Sequence, residues 1–172
     1  MKRIIFLLIG LFILAYGCKD DILPADSVMG NDDLKNASIE KLVPIKGEVL
    51  NHINEEHPDY GTISGFLSHL GKLNETESTW TTIDDGDGNP YTFSKDIEFC
   101  AANGDKLRGT YMGMFISQTE IEGIMIFEGG TGRFENASGQ TTANGYLVVD
   151  GGTLIGMYLA GEGEISNVGS SK

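Results

Sequence analysis

The strongest constraint on the fold is a period of two in hydrophobicity that begins near residue 41 and continues almost to the end of the chain. Apolar and polar residues alternate in short runs, and turn-forming residues such as Asn103-Gly104-Asp105 and Gly151-Gly152 separate the runs. This pattern is typical of antiparallel strands that bury one face. It predicts eight strands, at residues 42–50, 62–69, 72–83, 91–102, 106–117, 120–128, 140–150 and 153–166.

Glycine recurs inside these strands, where it weakens a flat sheet but permits bulges and sharp bends. The positions are Gly47, Gly65, Gly109, Gly113, Gly123, Gly145, Gly156 and Gly161. Eight strands are enough to close a sheet, and closure removes exposed strand edges. We therefore predict an all-β domain at residues 41–168 and a short tail at 169–172. We favour an eight-stranded antiparallel barrel, closed or nearly closed, over a two-sheet sandwich.

Residues 1–17 predict a lipoprotein signal peptide. Lys2 and Arg3 precede an apolar run at residues 4–14 that is too short for a permanent membrane anchor. Ala15-Tyr16-Gly17-Cys18 resembles the lipobox of bacterial lipoproteins, which implies that Cys18 receives the lipid. An ordinary secretory signal with an incidental cysteine is the alternative.

Residues 18–40 are polar and show no clean period, so we interpret them as a flexible acidic tether from Cys18. Lys19, Asp20 and Asp21 resemble the export signal of surface lipoproteins in the Bacteroidetes phylum. Asp26-Ser27-Val28 resembles the O-glycosylation motif of that phylum, with Ser27 as the acceptor. These resemblances imply a lipid-anchored protein on the outer face of the outer membrane. An ordinary solvated spacer is the alternative.

The charge balance argues against nucleic acid as a partner. The chain has 12 Lys and Arg residues against 25 Asp and Glu residues, which gives a net charge of −13. A surface this acidic repels phosphate backbones and anionic lipid headgroups. We therefore expect contact with the membrane through the N-terminal lipid, and nothing in the pattern indicates an oligomeric state.

The residues predict no catalytic centre, no metal site and no cofactor. Asp85-x-Asp87-x-Asn89 mimics a calcium loop, but Pro90 stands where glycine must make the turn, so a hairpin connection is predicted. Cys100 lies in an apolar run and is predicted to be a small buried hydrophobe. Three histidines lack the spacing of zinc ligands and are interpreted as structural. They are His52, His57 and His69.

The stretch Gly129-Gly130-Thr131-Gly132-Arg133-Phe134 has the glycines of a phosphate loop, but the Gly-Lys-Ser/Thr sequence and the following helix are missing. Together with Ala137-Ser138-Gly139 it resembles the GGTGRF connector of proteins with the allene oxide cyclase-like barrel, relatives of the dirigent barrels. Three further pieces occur in that family's order. They are Ser68-His69-Leu70-Gly71-Lys72, Ala102-Asn103-Gly104-Asp105-Lys106-Leu107 with Gly109-Thr110-Tyr111, and Gly161-Glu162-Gly163-Glu164-Ile165-Ser166. The resemblance covers roughly residues 41–168 and departs from the family at Glu135-Asn136.

This resemblance implies a closed barrel that works without metal or nucleotide. The resemblance implies that the connector has a structural role, in which Phe134 plugs the barrel and Arg133 pairs with a carboxylate. No catalytic residue of the family's plant enzymes can be placed on this chain. The leading prediction is a non-enzymatic surface lipoprotein whose barrel binds a small apolar or carbohydrate ligand, or a partner. A cofactor-independent isomerase or cyclase and a structural envelope component with a packed interior are the alternatives.

The interior of the barrel distinguishes these interpretations. A cavity of about 300 Å³ or more would favour a ligand, whereas a solid core would argue against one. We expect three aromatic side chains to line any cavity, namely Tyr111, Phe115 and Tyr158. Three methionines are expected on the opposite faces of the same strands, namely Met112, Met114 and Met157. Ordinary core packing is the alternative for all six residues.

Overall fold

The computed structural model describes residues 41–84, 88–166 and 168–169. Its strands are β1 (Val43–Ile53), β2 (Tyr60–Leu67), β3 (Gly71–Lys72), β4 (Thr79–Ile83), β5 (Thr92–Cys100), β6 (Lys106–Phe115), β7 (Glu120–Gly130), β8 (Ser138–Asp150) and β9 (Thr153–Ser166). A single turn of 3-10 helix lies at Gly132–Phe134. Within the described ranges, no helix is long and apolar enough to cross a bilayer.

Eight of these strands close into an antiparallel barrel. Hydrogen-bonded neighbours follow the order β1-β9-β8-β7-β6-β5-β4-β2, and β2 pairs with β1 to complete the ring. The closing pair runs from Gly47 opposite Leu67 to Ile53 opposite Gly61. The short β3 is an additional strand paired with β2. The predicted all-β fold and the predicted eight-stranded antiparallel barrel are therefore confirmed, with one extra strand.

The predicted third strand, at residues 72–83, is wrong in its extent. It divides into β3, which ends at Lys72, and β4, which begins at Thr79. Between them the Asn74 carbonyl accepts hydrogen bonds from the backbone N–H groups of Glu77 and Ser78, at 3.2 and 2.8 Å. These local bonds satisfy the backbone within a turn, and so they compete with the hydrogen bonds of a sheet.

Glycines form the two tight turns that the sequence predicts. At the β8–β9 turn, Gly151 and Gly152 have φ values of 56° and 89°, both in the left-handed region that a two-residue hairpin favours. At the β5–β6 turn, Gly104 has a φ value of 85°, and its N–H donates to the Ala101 carbonyl at 2.9 Å. Residues with a Cβ adopt this region at a steric cost, which explains glycine at these positions.

The inward-facing side chains of the strands fill the barrel. The largest fully buried apolar and aromatic side chains are Trp80, Tyr111, Phe134, Ile45, Ile63, Leu107, Ile121 and Ile165. Small residues let the neighbouring strands approach closely on both sides of β1. Gly47 of β1 lies opposite Gly161 of β9, and a Cβ on Gly47 would lie 2.2 Å from the carbonyl oxygen of Phe66 on β2.

The connector between β7 and β8 closes one end of the barrel. The Phe134 ring is fully buried and belongs to the apolar core. Gly132 has a φ value of 58°, and a Cβ there would lie 1.9 Å from Oδ1 of Asp105. The Arg133 guanidinium carbon lies 4.9 Å from the Phe134 ring centroid, and Arg133 Nε lies 3.6 Å from Oδ2 of Asp105. We call this end, where β1 begins and β9 ends, the plugged end.

Replacing Phe134 with alanine should lower the free energy of unfolding by about 3–5 kcal/mol, because it removes a large buried ring and leaves a cavity. Urea denaturation followed by circular dichroism measures the change. Phe66, which is 54% exposed on the outer face, provides the matched control. Phe66→Ala should change the free energy by about 0.5 kcal/mol or less. Equal effects of the two substitutions would contradict a plugging role for Phe134.

Candidate functional site

Besides Thr141, which lines the centre of the barrel, Lys95 and Asn51 are polar side chains at interior positions. On β5 the residues that alternate inward are Phe93, Lys95, Ile97 and Phe99, so the lysine takes a place in an otherwise apolar row. On β1 the corresponding row includes Val49, Asn51 and Ile53. Both polar residues lie toward the end of the barrel opposite the plug, where β1 ends and β2 begins. We call it the distal end.

The Lys95 ammonium lies against the aromatic face of Trp80. Its Nζ atom is 3.1 Å from the Trp80 ring centroid and 6.0 Å from the Phe93 ring centroid. Among the described residues, no carboxylate lies within ion-pair distance of this ammonium. Burial disfavours the charged form and lowers the pKa of Lys95 to about 8. Lys95 is therefore an interior amine that packs on Trp80 by a cation–π contact, with no counter-ion among the described residues.

The Trp80 indole links Lys95 on β5 to the backbone of β1. Its side chain extends from β4 past β2, and its indole Nε1 donates a hydrogen bond to the His52 carbonyl of β1 at 3.0 Å. Gly61 of β2 makes this path available, because a Cβ there would lie 2.8 Å from the indole nitrogen. The ring is almost completely buried. The nitrogen edge of the indole is thus fixed beside β1, and the Lys95 ammonium packs on the face of the ring.

Asn51 precedes the residue that accepts the indole hydrogen bond, and its side chain is 1% exposed. Neither the Nδ2 atom nor the Oδ1 atom has a hydrogen-bond partner among the described protein groups. Folded proteins pair the large majority of buried side-chain polar atoms, so an amide with neither atom paired requires an explanation. We call Lys95, Trp80 and Asn51 the Lys95 cluster.

Aromatic rings continue from the cluster along β5 and β6. The Phe93 ring centroid lies 5.9 Å from that of Tyr111 and 5.3 Å from that of Phe115. The Tyr111 hydroxyl donates to the Ala143 carbonyl at 3.0 Å, and burial raises the pKa of this phenol. Tyr111 therefore contributes packing and a fixed hydrogen bond, and its phenol stays protonated at neutral pH.

Tyr158 does not lie beside Tyr111 and Phe115, the other two residues predicted to line a cavity. Its hydroxyl donates to Glu48 Oε2 on the outer face at 2.7 Å, and its ring lies 5.1 Å from the Tyr146 ring. The inward position on this part of β9 belongs to Met157, which is buried. The two residues thus occupy the opposite faces from those expected. Met112 and Met114 lie on the outer face of β6, where both are exposed.

The centre of the barrel is nearly solid. An interior cavity of about 40 Å³ lies among apolar side chains that include Val49, Phe99 and Leu159. This volume holds little more than water and is far below the size of a small-molecule pocket. A wider concavity of about 910 Å³ lies on the outer face beside Phe66 and Glu48, and no buried unpaired side chain lines it. The Lys95 cluster lines neither space, and it is the candidate site because of the unpaired Asn51 amide and the desolvated Lys95 ammonium.

The histidines and Cys100 have local structural partners. His52 approaches Ser64 Oγ at 2.8 Å and Glu75 Oε1 at 3.5 Å, but both contacts use Nε2, so the three groups cannot form a proton relay through the ring. His69, at a φ value of 72°, has Nε2 2.9 Å from the Pro44 carbonyl oxygen.

His57 stacks on Tyr60, with ring centroids 5.4 Å apart. The Cys100 thiol is buried, and burial, with the nearby Glu77 carboxylate, raises its pKa, which disfavours the reactive thiolate. No group of described residues has the composition of a metal site.

Several predicted features lie outside the described residues, namely the signal peptide and tether, Cys18, Lys19, Asp20, Asp21, Ser27 and the centre of the Asp85–Asp87 turn.

The sequence analysis missed the Lys95 cluster, although the period of two contained the signal. In Phe93-Ser94-Lys95-Asp96-Ile97-Glu98-Phe99, the lysine has the same parity as the three apolar residues. In Ile45-Lys46-Gly47-Glu48-Val49-Leu50-Asn51, the asparagine likewise shares the parity of the buried residues. A polar residue at a position where the alternation predicts a buried side chain is the pattern that identifies such a site.

Lys95→Met should stabilise the protein at neutral pH. The folded-state pKa, about 8, is below the value of about 10.4 for an unfolded chain, so folding with a protonated lysine is penalised. The penalty is complete below pH 8 and disappears as the pH rises toward the unfolded value. We expect a gain in the free energy of unfolding of about 1–2 kcal/mol at pH 7, after allowance for partial exposure and the lost cation–π contact.

Urea denaturation of both proteins between pH 7 and pH 10 measures this gain and its decline with pH. Lys72→Met, at an exposed position of β3, is the matched control and should change stability by about 0.5 kcal/mol or less. A pH-independent effect of Lys95→Met would contradict the desolvated state of this lysine.

Comparisons with known proteins add a structural likeness. No family model matches the chain, and the search of curated proteins finds no match. Among solved structures the chain is similar to a pterocarpan synthase dirigent protein, with 15% sequence identity and a TM-score of 0.46. The match covers 77% of this chain and 88% of that chain.

Proposed function

We propose that this protein is a lipid-anchored surface protein of the outer membrane whose barrel is a non-enzymatic binding module. The ligand is a small molecule held at the distal end by the Lys95 cluster. One observation carries the binding proposal, namely that among the described residues the buried Asn51 amide has no hydrogen-bond partner and the interior Lys95 ammonium has no carboxylate in ion-pair distance. The location rests on the N-terminal sequence pattern around Cys18.

The energetic cost of these two side chains supports a functional role. An amide buried without hydrogen bonds lowers stability, and a desolvated ammonium does the same. Apolar residues of similar volume at both positions would fill the barrel without either penalty. Titratable groups that are desolvated in this way concentrate at functional sites. A ligand that pairs with both groups would recover the lost interactions.

The chemistry of the cluster defines the class of ligand. The Lys95 ammonium can donate to an oxygen atom, and the Asn51 amide can both donate and accept. The Phe93 ring lies 6.0 Å from the same ammonium and is only partly buried, so the body of the ligand should be flat or aliphatic. The central cavity of about 40 Å³ is too small for such a body, so the ligand enters from the distal end.

A structural component of the envelope is the second candidate function. The nearly solid barrel centre favours this candidate, because a packed core stabilises the fold without a ligand. The two candidates differ in what they require of Asn51. A structural barrel gains nothing from an unpaired amide, whereas a binding barrel needs it for recognition.

Cys18→Ala should move the protein from the membrane fraction to the soluble fraction, because the attachment point of the lipid is lost. Cell fractionation and intact mass measurement report the change. Cys100→Ala is the matched control, since Cys100 is the other cysteine of the chain, and it should leave the protein in the membrane.

Protease treatment of intact cells should degrade the wild-type protein. Resistance until the outer membrane is broken would contradict surface exposure.

Native mass spectrometry of protein purified from its own membrane should detect a non-covalent adduct on the wild type. Asn51→Leu should lose this adduct while its free energy of unfolding equals or exceeds that of the wild type, because the unpaired amide is gone. Phe66→Ala, on the outer face, should retain the adduct. If the wild type carries only its bare lipidated mass under gentle conditions, the structural function replaces the binding function.

A further inference from the structure

The outer wall of the barrel carries a surface that the Lys95 cluster does not use. Two concavities of about 910 and 670 Å³ lie side by side on this wall, and Thr142 and Asn144 of β8 line both of them. Together the concavities extend from β2 through β1, β9, β8, β7 and β6 to β5. We call this surface the outer band.

The outer band contains large apolar side chains that are open to solvent. Phe66, Met112, Met114 and Ile124 line it, and they are between 43% and 54% exposed. Met112 and Met114 share one face of β6, and Met112 lies opposite Ile124 of β7. Adjacent apolar side chains on an outer surface are typical of an interaction site, and methionine adapts its shape to a partner.

Carboxylates lie next to these apolar side chains. Glu122 of β7 lies opposite Met114 of β6. In the other direction around the barrel, Ile124 lies opposite Thr142, and Thr142 lies opposite Glu162. Two strand spacings, or about 10 Å, therefore separate Ile124 from Glu162. The band thus presents an apolar region with one carboxylate at its edge and a second carboxylate two strands away.

The charge of the outer band is negative. Among the described residues that line it, the carboxylates of Glu48, Glu122 and Glu162 outnumber the ammonium of Lys46. In the described part of the chain, neither Glu122 nor Glu162 has a basic group within ion-pair distance. The net charge of the whole chain, −13, has the same sign. A partner that fits this surface must therefore bring positive charge as well as apolar groups.

Charge complementarity distinguishes the occupants that an exposed apolar surface could have. Anionic lipid headgroups and phosphate backbones are repelled by an acidic surface. A second copy of this chain would bring its own acidic band, and a symmetric contact would place like charges opposite each other. A peptide with both apolar and basic side chains buries the apolar surface and pairs with the carboxylates.

We propose that the outer band binds a cationic amphipathic peptide segment of another protein. Apolar side chains of this segment pack on Met112, Met114 and Ile124, while its lysine or arginine side chains pair with Glu122 and Glu162. The interaction uses neither the residues nor the ligand of the Lys95 cluster. It therefore stands or fails separately from the small-molecule binding proposed above.

The test measures the fluorescence anisotropy of a fluorescein-labelled peptide in which lysine and leucine alternate. The full chain is reconstituted in phosphatidylcholine vesicles, and protein-free vesicles give the background. We expect saturable binding that weakens as salt is added, because salt screens exposed charges. A peptide with serine in place of leucine should bind about tenfold more weakly, since it buries less apolar surface. A peptide with glutamate in place of lysine should not bind.

A pair of double variants separates this site from a general attraction to the acidic chain. Glu122→Gln with Glu162→Gln removes both carboxylates with little change of shape, and it should weaken binding about three- to tenfold. Glu55→Gln with Glu56→Gln removes the same charge from exposed residues between β1 and β2, outside the band, and should retain the wild-type affinity. Equal weakening by both double variants would mean that the peptide responds to net charge, and would overturn the proposal.

A second pair of variants tests the apolar part of the band. Ile124→Ser should weaken binding about tenfold, because an apolar contact is lost. Leu154→Ser is the matched control and should bind like the wild type. Leu154 is 42% exposed, close to the 43% of Ile124, but it lies beside the β8–β9 turn, outside the band. Equal circular dichroism spectra establish that the variants fold.

Two further measurements identify the occupant. Carbodiimide coupling joins peptide amines to the carboxylates that they contact, and peptide mapping should find the joint at Glu122 or Glu162. Joints spread evenly over the carboxylates of the chain would contradict the proposal. Sedimentation of the wild type without peptide should show no self-association that Ile124→Ser abolishes. If it does, the band is a contact between copies of this chain, and the peptide proposal is overturned.

Discussion

The pairing of β1 with β2 is the interaction on which the rest of the structure depends. Seven residue pairs, from Gly47–Leu67 to Ile53–Gly61, join the first and second strands and turn an open sheet into a ring. Without them, two long strand edges would expose unpaired backbone groups, and the inward faces would lose their enclosure. The seam also fixes the position of Trp80, whose indole crosses β2 and bonds to β1. Closure and the candidate site therefore form together.

A closed barrel makes an interior lysine both costly and useful. Once the ring is complete, the alternation along β5 leaves Lys95 no route to the outer face without a register shift that would move every neighbouring side chain. The protein retains the charge near the distal end, where its head is only partly buried and the Trp80 face offsets part of the lost hydration. At the opposite end the Phe134 ring is fully buried, and Arg133 lies over this ring and beside Asp105.

The period of two and the interior glycines were enough to predict the antiparallel strands and their closure, because both effects act through the backbone. The third predicted strand was drawn through the polar run Asn74-Glu75-Thr76-Glu77-Ser78, where the Asn74 carbonyl accepts two local backbone hydrogen bonds and a turn forms. Met157 and Tyr158 exchanged their expected faces because adjacent large apolar residues, flanked by glycine and alanine, leave the phase of a strand undetermined. Lys95 and Asn51 were in phase with buried residues, but only the folded barrel showed that Lys95 packs on Trp80 and that the Asn51 amide has no hydrogen-bond partner among the described residues.

The plug has a consequence for the direction in which the barrel faces. Phe134 closes the end at which β1 begins, and Asn51 lies eight residues after Val43 on that strand, about 26 Å along the strand at the usual rise per residue. A barrel immobilised through residue 41 on a sensor surface would therefore present the Lys95 cluster toward the solution. Attachment at the β1–β2 turn would bury the cluster against the support. The choice of attachment point thus decides whether solutes reach this site.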